Sequence, residues 1–465
     1  MRNRVKIIEI KKERVDMKNK LLRFFACLIL IALSVQSISV EAQSFTTQYA
    51  LPSGDLGDSD FDVSSERVFV PPSEESLRLT QEQVQAFDCA TVTDAPKSEC
   101  EALVAVYEST NGAGWKDNTN WLATTFVGNW KGVSVRGGHV EDLFLKDNGL
   151  TGTIPPGISG LTYLKLLDLS NNQLTGEIPT QVTELSQLSV LTLNTNKLTG
   201  SLPSTLGNLQ SLTELHLWNN QFSGTIPESL FTLTNLEKLY LSDNQFSGQI
   251  PAGLAGLTNL RSLSLENNKF SGEIPTELGS MSSLAWLYLS NNALTGSIPQ
   301  SFGNLNLTSL DLDNNQLSGA IPKELGNISN LNHLRLNNNR LSGTLPAELG
   351  NLEKLRVLEL NYNQLNGTIP TSIGNLSMLI HLDLSHNRFE GDVPASITYL
   401  QRLCVEGSYV APCYGYHTTD FGYNRLNVPQ PEPPQAFLYE KDPDWDKTQN
   451  LFDPQNAFFF PLVER

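Results

Sequence analysis

The sequence predicts an α/β solenoid, in which stacked coils carry a parallel β-sheet on the concave face and irregular or 3₁₀ turns on the convex side. Three observations support this. An Asn closes a Leu-x-Leu-x-x-Asn pattern eleven times, every 24 residues except for the 23-residue step from Asn292 to Asn315. Leu167-Asp168-Leu169 shows the apolar–polar alternation of a short, half-buried strand. The stretch from Pro179 to Leu185 varies most between units, and we expect irregular or 3₁₀ turns there rather than long helices.

One repeat unit cannot bury its own apolar face, so neighbouring units must stack and bury it for each other. In Leu161–Thr180, Leu167 and Leu169 are expected to point inward. Asn172 follows the strand, where its side chain can bond the backbone of adjacent coils and satisfy polar groups that are otherwise buried bare. Gly176 permits a tight bend. Twelve such strands, counting a degenerate last unit, predict a parallel sheet roughly 55 Å long.

The period and the motif Leu174-Thr175-Gly176-Glu177-Ile178-Pro179 resemble the leucine-rich repeat family, and within it the plant-type subclass with 24-residue repeats. The resemblance implies a curved right-handed superhelix with a cap at each end. It places an N-terminal cap in 77–140, eleven regular repeats in 141–403, and a degenerate last repeat with a C-terminal cap or tail in 404–465. The caps resemble those of bacterial secreted or surface proteins of this family.

The N-terminal cap is expected to depend on tryptophan packing. Residues 89–140 resemble the N-terminal cap of secreted proteins of this family, but the two cysteines that usually form a disulfide in this region are absent. Trp115, Trp121 and Trp130 should therefore form the cap core. Ser98-Glu99-Cys100-Glu101 predicts a capping box that opens a helix, and a second helix is expected to begin near Thr80. At the other end of the chain, Phe437, Leu438 and Trp445 are expected to pack on the last coil.

The first residues have the pattern of an export signal. A basic region precedes the apolar run Leu21–Leu33, and Val40-Glu41-Ala42 is a small-residue cleavage pattern, so 1–42 is predicted to be a signal peptide. Retention of this segment as an uncleaved anchor is the alternative. Residues 43–76 are rich in Ser, Asp, Gly and Pro and predict a disordered leader. The protein is therefore expected to be secreted or held at the cell surface.

Charge and cysteine usage narrow the class of partner and compartment. A formal net charge of −17 argues against nucleic acid or an anionic membrane as the partner. Cys89 and Cys100 flank the repeats on one side, and Cys404 and Cys413 on the other. In an exported protein this arrangement predicts two disulfides, Cys89–Cys100 and Cys404–Cys413, that close the ends of the solenoid.

Candidate binding residues lie on the open face of the sheet, at positions beside the strand leucines. These positions stack in register, and the leucines already fill the core. The middle units carry an aromatic zone of His216, Trp218, Tyr240, Trp286 and Tyr288, followed by a charged ladder of Asp311, Asp313, Arg335, Glu359 and Asp383. Aromatic and Arg side chains are enriched at binding interfaces, so the aromatic zone together with Asp311, Arg335 and Glu359 is predicted to bind the ligand. Cross-strand packing and a self-satisfied ionic ladder are the alternatives.

These features predict a non-catalytic binding module. Glu359 and Asp383 lie on adjacent strands, about 5 Å apart as in a retaining glycosidase, but on an open face without a pocket. His333 and His381 are two coils apart, too far to share a metal ion, so no catalytic residue, metal or cofactor is assigned. The expected partner is a protein or peptide. A cell-surface glycan or a carbohydrate-degrading enzyme that the protein inhibits is the alternative, and ice binding is a remote one, disfavoured by the mixed concave columns.

Overall fold

The computed structural model describes residues 72–404, 419–427 and 434–442. These residues all belong to one unit, Val63–Arg465. The predicted signal peptide, most of the predicted leader, Cys413 and Trp445 lie outside the described residues.

The N-terminal cap contains two helices, α1 (Glu74–Ala86) and α2 (Lys97–Ser109). Helix α1 begins six residues before the predicted start at Thr80, because the side chain of Ser73 caps it by accepting a hydrogen bond from the Ser76 amide. Thr80 lies inside the helix, where its hydroxyl accepts a hydrogen bond from the Ala113 amide at 3.0 Å and joins α1 to the next turn. The prediction of a helix start at Thr80 was therefore wrong.

The predicted capping box at Ser98 was also wrong. Helix α2 begins at Lys97 behind Pro96, which makes no side-chain cap. Glu99 instead turns into the cap, where its carboxylate accepts the Val140 amide at 2.7 Å and lies 2.7 Å from the ring nitrogen Nδ1 of His139. A buried carboxylate needs such partners, so Glu99 serves the junction between the helix and the sheet rather than the start of the helix.

The cap core consists of stacked and edge-on aromatic rings, as the missing cysteines predicted. Trp115, Trp121 and Trp130 are all buried. The ring of Trp121 lies 4.9 Å from each of the other two tryptophans and 5.7 Å from Tyr107. Such pairs contribute about 0.5–1.5 kcal/mol beyond the area they bury. The predicted Cys89–Cys100 disulfide is present. It joins the short turn that follows α1 to helix α2.

A twelve-stranded sheet runs through the repeats. Its strands, in spatial order, are β1 (Val133–Arg136), β2 (His139–Phe144), β4 (Leu166–Asp168), β6 (Val190–Thr192), β8 (Glu214–His216), β10 (Lys238–Tyr240), β12 (Ser262–Ser264), β14 (Trp286–Tyr288), β16 (Ser309–Asp311), β18 (His333–Arg335), β20 (Val357–Glu359) and β22 (His381–Asp383). All neighbours pair in parallel except β1 and β2, which are antiparallel. The predicted number of strands is confirmed, but the twelfth strand is the cap strand β1. Within the described residues, the degenerate last unit adds to this sheet only a bridge between Asp383 and Asp420.

Short strands after each Asn form three smaller sheets that the sequence did not predict. They contain β3 (Thr151–Gly152), β5 (Gln173–Gly176) and β7 (Lys197–Leu198); β9 (Ser223–Gly224), β11 (Gln245–Gly248), β13 (Lys269–Glu273) and β15 (Ala293–Thr295); and β17 (Ser318–Gly319), β19 (Arg340–Thr344), β21 (Gln364–Gly367), β23 (Arg388–Asp392) and β24 (Arg425–Asn427). Each coil therefore pairs with its neighbours along two edges. Gly176, two residues after Leu174, ends one of these short strands with a φ of +76°. This left-handed backbone conformation favours glycine, which has no Cβ.

The convex side consists of 3₁₀ turns, as predicted. They span Pro156–Gly160, Thr180–Glu184, Leu206–Asn208, Glu228–Thr232, Ala252–Gly256, Thr276–Ser280, Gln300–Asn304, Lys323–Asn327, Ala347–Asn351, Thr371–Asn375 and Ala395–Tyr399. The 23-residue unit absorbs its missing residue here. Leu305, which ends its turn, is extended with ψ 158°, whereas Met281 and Ile328 in the neighbouring coils have ψ 73° and 71°. The sheet register is unbroken across this unit, from Trp286 to Ser309.

The asparagines form the predicted ladder. Asn244 is representative: its Nδ2 donates to the carbonyls of Leu217 and Leu241 at 3.0 and 3.2 Å, and its Oδ1 accepts the amide of Phe222 at 3.0 Å. Two of these three backbone groups belong to the preceding coil. One buried side chain thus satisfies polar groups of two coils, which a purely apolar solenoid would leave unpaired.

The C-terminal end is closed by helix α3 (Pro434–Lys441), which contacts the last 3₁₀ turn. Leu438 is fully buried and Phe437 packs against the core, as predicted for the closing segment. The Asp442 carboxylate accepts the Phe421 amide at 2.8 Å and holds the degenerate coil to this helix. Cys404 is buried and disulfide-bonded. Its predicted pairing with Cys413 stays a prediction, because Cys413 lies outside the described residues.

Candidate binding face

The parallel register places the predicted binding residues in continuous columns. In the middle column, Thr192, His216, Tyr240, Ser264, Tyr288, Asp311, Arg335, Glu359 and Asp383 are direct neighbours on successive strands. A second column, two residues later, holds Trp218, Ser242, Glu266, Ser290, Asp313, Asn337 and Asn361. The structure thus brings the aromatic zone and the charged ladder onto one face of one sheet.

The aromatic zone is more deeply set than the sequence suggested. Trp286 is 37% exposed, but Trp218, Tyr240 and Tyr288 are only partly exposed. Ser264, between Tyr240 and Tyr288, is 4% exposed, so the two tyrosines stand on either side of a small, covered residue, and we name this strip of the face the groove. Burial raises the pKa of Tyr240 and that of Tyr288 above the ordinary value for tyrosine, and the side chains of Ser262 and Ser309 form hydrogen bonds with them.

His216 belongs to an ion-pair cluster on strands β8 and β10 as well as to the aromatic zone. Its Nε2 lies 2.9 Å from one carboxylate oxygen of Glu214, and the Lys238 ammonium lies 3.0 Å from the other. The ring of Tyr240 meets His216 edge-on at 4.9 Å. The hydrogen bond with His216, followed by that with Lys238, lowers the pKa of Glu214 to about 2 despite its desolvation. Glu214 and Lys238 therefore hold one edge of the aromatic zone in place.

The charged ladder is partly neutralised from within. The Arg335 guanidinium donates to Asp311 at 2.8 Å and lies 3.5 Å from Glu359, while His381 lies 3.5 Å from the same Glu359 oxygen. Asp311 is buried and also accepts the Ser309 hydroxyl. The geometry of the predicted ionic ladder is thus present, and Asp311, Arg335 and Glu359 form a fixed polar edge beside the groove. Their role in ligand binding stays a prediction.

Glu266 and Asp313 in the second column form no ion pair of this kind among the described residues. Burial raises the pKa of each carboxyl to about 7. Neighbouring negative charge also raises these pKa values, from Asp243 and Asp311 on Glu266, and from Asp311 and Glu359 on Asp313, where Arg335 opposes it. Asp313 belongs to the predicted charged ladder, and Glu266 follows the strand of Ser264. Neither was assigned to the binding site, because the alternation of a strand does not reveal which acids lack a cation.

Glu359 and Asp383 are neighbours in the sheet register, but their side chains are engaged in separate contacts. Asp383 accepts the amide and hydroxyl of Ser385 on its own strand, at 2.9 and 2.7 Å. Burial raises its pKa to about 7. Glu359 turns towards Arg335 and His381. Each carboxylate is therefore oriented by contacts within the protein. A glycosidase pair requires two carboxylates that face each other across one substrate bond.

A further aromatic feature escaped the sequence analysis because it follows the turn rather than the strand. The residue before each ladder Asn has a positive φ, and it is Asn or Asp in most coils. In the last coils it is Tyr362, His386 and Tyr423. The ring of His386 stacks between the two tyrosine rings, with its centroid 4.0 Å from each. A left-handed backbone is uncommon for such large residues, and the stacked rings offset part of its cost.

Within the part of the chain that the structure describes, no cluster of three or more His, Cys, Asp or Glu side chains could hold a metal ion. None of the helices in 72–404, 419–427 and 434–442 has the length and apolar character needed to cross a membrane.

Comparison with known proteins identifies the repeats. A family described as "Leucine-rich repeat region" matches residues 139–250 and 242–368, and one described as "Leucine Rich Repeat" matches 378–400. No curated protein matches the chain.

Solved structures show the same architecture. The chain is 31% identical to the crystal structure of PEPR1-AtPEP1, with a TM-score of 0.61, over 71% of this chain and 49% of that one. It is 32% identical to the ectodomain of the Arabidopsis receptor kinase HAESA in complex with an N-terminally extended IDA peptide hormone, with a TM-score of 0.61, over 72% and 58%. A plant ice-binding protein is 27% identical, with a TM-score of 0.52, over 65% and 90%. The chain thus spans about half to three-fifths of the length of the two receptors.

Proposed function

The chain belongs to the leucine-rich repeat family, with plant-type repeats, and from that premise we propose that it is a non-catalytic module that binds a peptide or an extended protein segment on its concave face. The single observation that carries this proposal is the groove between Tyr240 and Tyr288, with Ser264 as its floor and Trp286 exposed beside it. The core does not need these aromatic side chains, because the strand leucines are fully buried beneath them.

The dimensions of the groove suit an extended chain. Tyr240 and Tyr288 are two strand spacings apart, which is about 10 Å, the width of a peptide with its side chains. Protonated tyrosine hydroxyls and the fixed carboxylates of the charged ladder give directional partners for peptide groups along one side. Aromatic anchors with a polar rim are the usual arrangement of a binding hot spot.

The relatives support a peptide rather than another ligand. The HAESA ectodomain was solved in complex with a peptide hormone. The alternatives of glycan binding and of inhibiting a carbohydrate-degrading enzyme have no comparable support. Membership of a family with extracellular receptor ectodomains, together with the leader pattern, supports an exported protein that is secreted or held at the cell surface.

A phage-displayed library of random short peptides tests the proposal. The purified protein should retain a set of peptides, and Trp218→Ala with Tyr240→Ala should weaken their binding at least about 30-fold, because a hot-spot aromatic contributes about 2 kcal/mol or more. The melting temperature should change little, since the core leucines stay in place. Thr180→Ala with Gln181→Ala, on the convex side, is the matched control and should bind like the wild type. Equal binding by the Trp218 and Tyr240 variant would exclude the groove.

Ice binding is the second candidate, and one observation favours it beyond the similarity to a plant ice-binding protein. The residue between the Leu or Phe and the Gly of each small-sheet turn is Thr or Ser in nine successive coils: Thr151, Thr175, Thr199, Ser223, Ser247, Ser271, Thr295, Ser318 and Ser342. The concave columns, by contrast, are mixed in charge and size. Thermal hysteresis of the purified protein decides between the two functions, and substituting Ser247 and Ser271 by Lys should abolish any hysteresis that is found.

A further inference from the structure

The second column of the concave face contains hydrogen-bond acceptors that the protein does not itself satisfy. We name Glu266, Ser290, Asp313, Asn337 and Asn361 the acceptor column. Each residue lies two positions after a member of the middle column, and those members pair directly on β12, β14, β16, β18 and β20. The acceptor column therefore crosses five neighbouring strands, beside the Tyr288 wall of the groove.

Unlike Glu214, Asp311 and Glu359 on the same face, the two carboxylates of the acceptor column form no ion pair among the described residues. Glu214 contacts Lys238 and His216, and Asp311 contacts Arg335. Among the described residues, no Lys, Arg or His nitrogen lies within 4.0 Å of either Glu266 or Asp313. Their side-chain partners are neutral: the Ser264 hydroxyl donates to Glu266 at 2.7 Å, and the Asn314 amide donates to Asp313 at 2.5 Å.

The asparagines of the acceptor column give an independent indication. The side-chain oxygens of Asn337 and Asn361 are buried, and within the described chain neither accepts a hydrogen bond. An unpaired buried acceptor destabilises the free protein, and a donor brought by a ligand would remove that cost. The column thus contains two carboxylates without an ion pair and two amide oxygens without a hydrogen bond. All of them accept hydrogen bonds, and together they call for a ligand rich in N–H donors and positive charge.

The spacing of the two carboxylates leaves room for a large cationic group between them. Glu266 and Asp313 are separated by the strand that carries Ser290, so their backbones are about 10 Å apart. Among the described residues, no cluster of three or more His, Cys, Asp or Glu side chains could hold a metal ion. Ser290 is small, and a guanidinium or ammonium group above it lies about one strand spacing from each carboxylate, beside the Tyr288 ring.

We infer that the ligand of the concave face is a basic peptide, and that the acceptor column takes its arginine or lysine side chains while the aromatic zone holds its apolar ones. This inference rests on the proposed function, since it assigns the ligand class of the same face. It also gives the −17 net charge of the chain a binding role, because a basic segment is drawn towards an acidic protein.

The peptide library described above tests the inference through the composition of the retained peptides. The wild-type protein should retain peptides enriched in Arg and Lys relative to the unselected library. Glu266→Gln with Asp313→Asn keeps the size of both side chains but removes both charges. It should lose the enrichment and bind the wild-type peptides at least about tenfold more weakly, because a charged partner in a groove loses its counter-charge. Binding is measured at pH 8.5, where the carboxyls of Glu266 and Asp313 are ionised. Glu277→Gln with Glu348→Gln, two exposed acids on the convex turns, then makes the same change in net charge as the matched control and should keep the enrichment.

The outcomes separate the inference from the function on which it rests. Peptides that depend on Trp218 and Tyr240 but show no basic enrichment, or that bind the Glu266 and Asp313 variant like the wild type, would overturn the basic ligand and leave the peptide-binding function standing. Equal loss of enrichment in the convex control would also overturn it, since net charge alone would then explain the effect. If no peptide is retained, or if retention ignores Trp218 and Tyr240, the proposed function fails and the inference fails with it.

Discussion

Asn244 shows how one residue type holds neighbouring coils together. Its side chain makes four hydrogen bonds to the backbone, to Leu217, Phe222, Leu241 and Ser242. Asn244→Ala strands these groups in a dry interior, at a cost of about 1–3 kcal/mol for each group left unpaired. Ser242→Ala on the same coil removes one hydroxyl and leaves those bonds intact. We expect urea unfolding to show a clearly lower free energy for the Asn244 variant, and equal values for the two variants would contradict the ladder.

Glu266 makes stability depend on pH in a direction opposite to that of a salt-bridged acid. Burial raises its pKa from 4.5 to about 7, and Asp243 and Asp311 nearby act in the same direction, against the Ser264 hydrogen bond. Between these values the native state holds a proton that the unfolded chain has released, so the contribution of Glu266 falls as pH rises from about 4.5 to 7.

Glu266→Gln should therefore stabilise the protein more, relative to the wild type, at pH 8 than at pH 4. Unfolding midpoints of the two proteins in urea at both pH values measure this difference. Glu277→Gln, which removes an exposed carboxylate from the convex side, serves as the control and should show the same difference at both values. An identical offset for Glu266→Gln at pH 4 and pH 8 would contradict a buried, raised carboxyl.

At the scale of the element, the buried position two residues after each ladder Asn accepts side chains of different volume. Phe222, Phe246 and Phe270 occupy it in three successive coils and stack at 6.2 and 6.3 Å, whereas Leu174 and Leu294 occupy it elsewhere. All are fully buried. The fold therefore accepts either residue, and the phenylalanines form a continuous stack through the middle coils.

Phe246→Ala should cost about 3–5 kcal/mol, because the surrounding coils cannot close the cavity that the lost ring leaves. Phe246→Leu gives the coil the residue that other coils use and should cost clearly less. Chemical unfolding of both variants measures the pair of values. Similar losses for Leu and Ala would mean that the aromatic stack, rather than the filled volume, stabilises this part of the solenoid.

The sequence predicted the repeating elements well because their spacing repeats. The strand leucines, the Asn ladder, the 3₁₀ turns and the alignment of Tyr240, Ser264 and Tyr288 all follow from a fixed period. The cap helices were predicted less well, since Glu99 looks like a capping residue along the chain and only the folded cap shows it bound to Val140. The depth of the aromatic zone and the unpaired state of Glu266 depend on neighbouring coils, and a single repeat contains no information about them.

At the scale of the whole molecule, the net charge and the acceptor column act on different steps of binding. The −17 net charge produces a long-range field that steers a basic peptide towards the protein and is screened by salt. The carboxylates of Glu266 and Asp313 act at contact, where they are desolvated. Charges at the rim chiefly change the association rate, whereas charges buried in an interface chiefly change the dissociation rate.

A basic peptide recovered from the library should therefore distinguish the two contributions kinetically. Raising the salt concentration should slow its association with the wild-type protein by about tenfold or more while its dissociation rate changes little, because screening removes the steering field. Glu277→Gln with Glu348→Gln should lower only the association rate, and by a small factor. At pH 8.5 Glu266→Gln with Asp313→Asn removes the same number of charges, but it should act mainly by speeding dissociation, since the peptide's cation loses its partners inside the groove. Surface plasmon resonance at two salt concentrations measures both rates for each variant. If the two double variants change the same rate by the same factor, the acceptor column contributes only to the field of the whole molecule and makes no contact of its own.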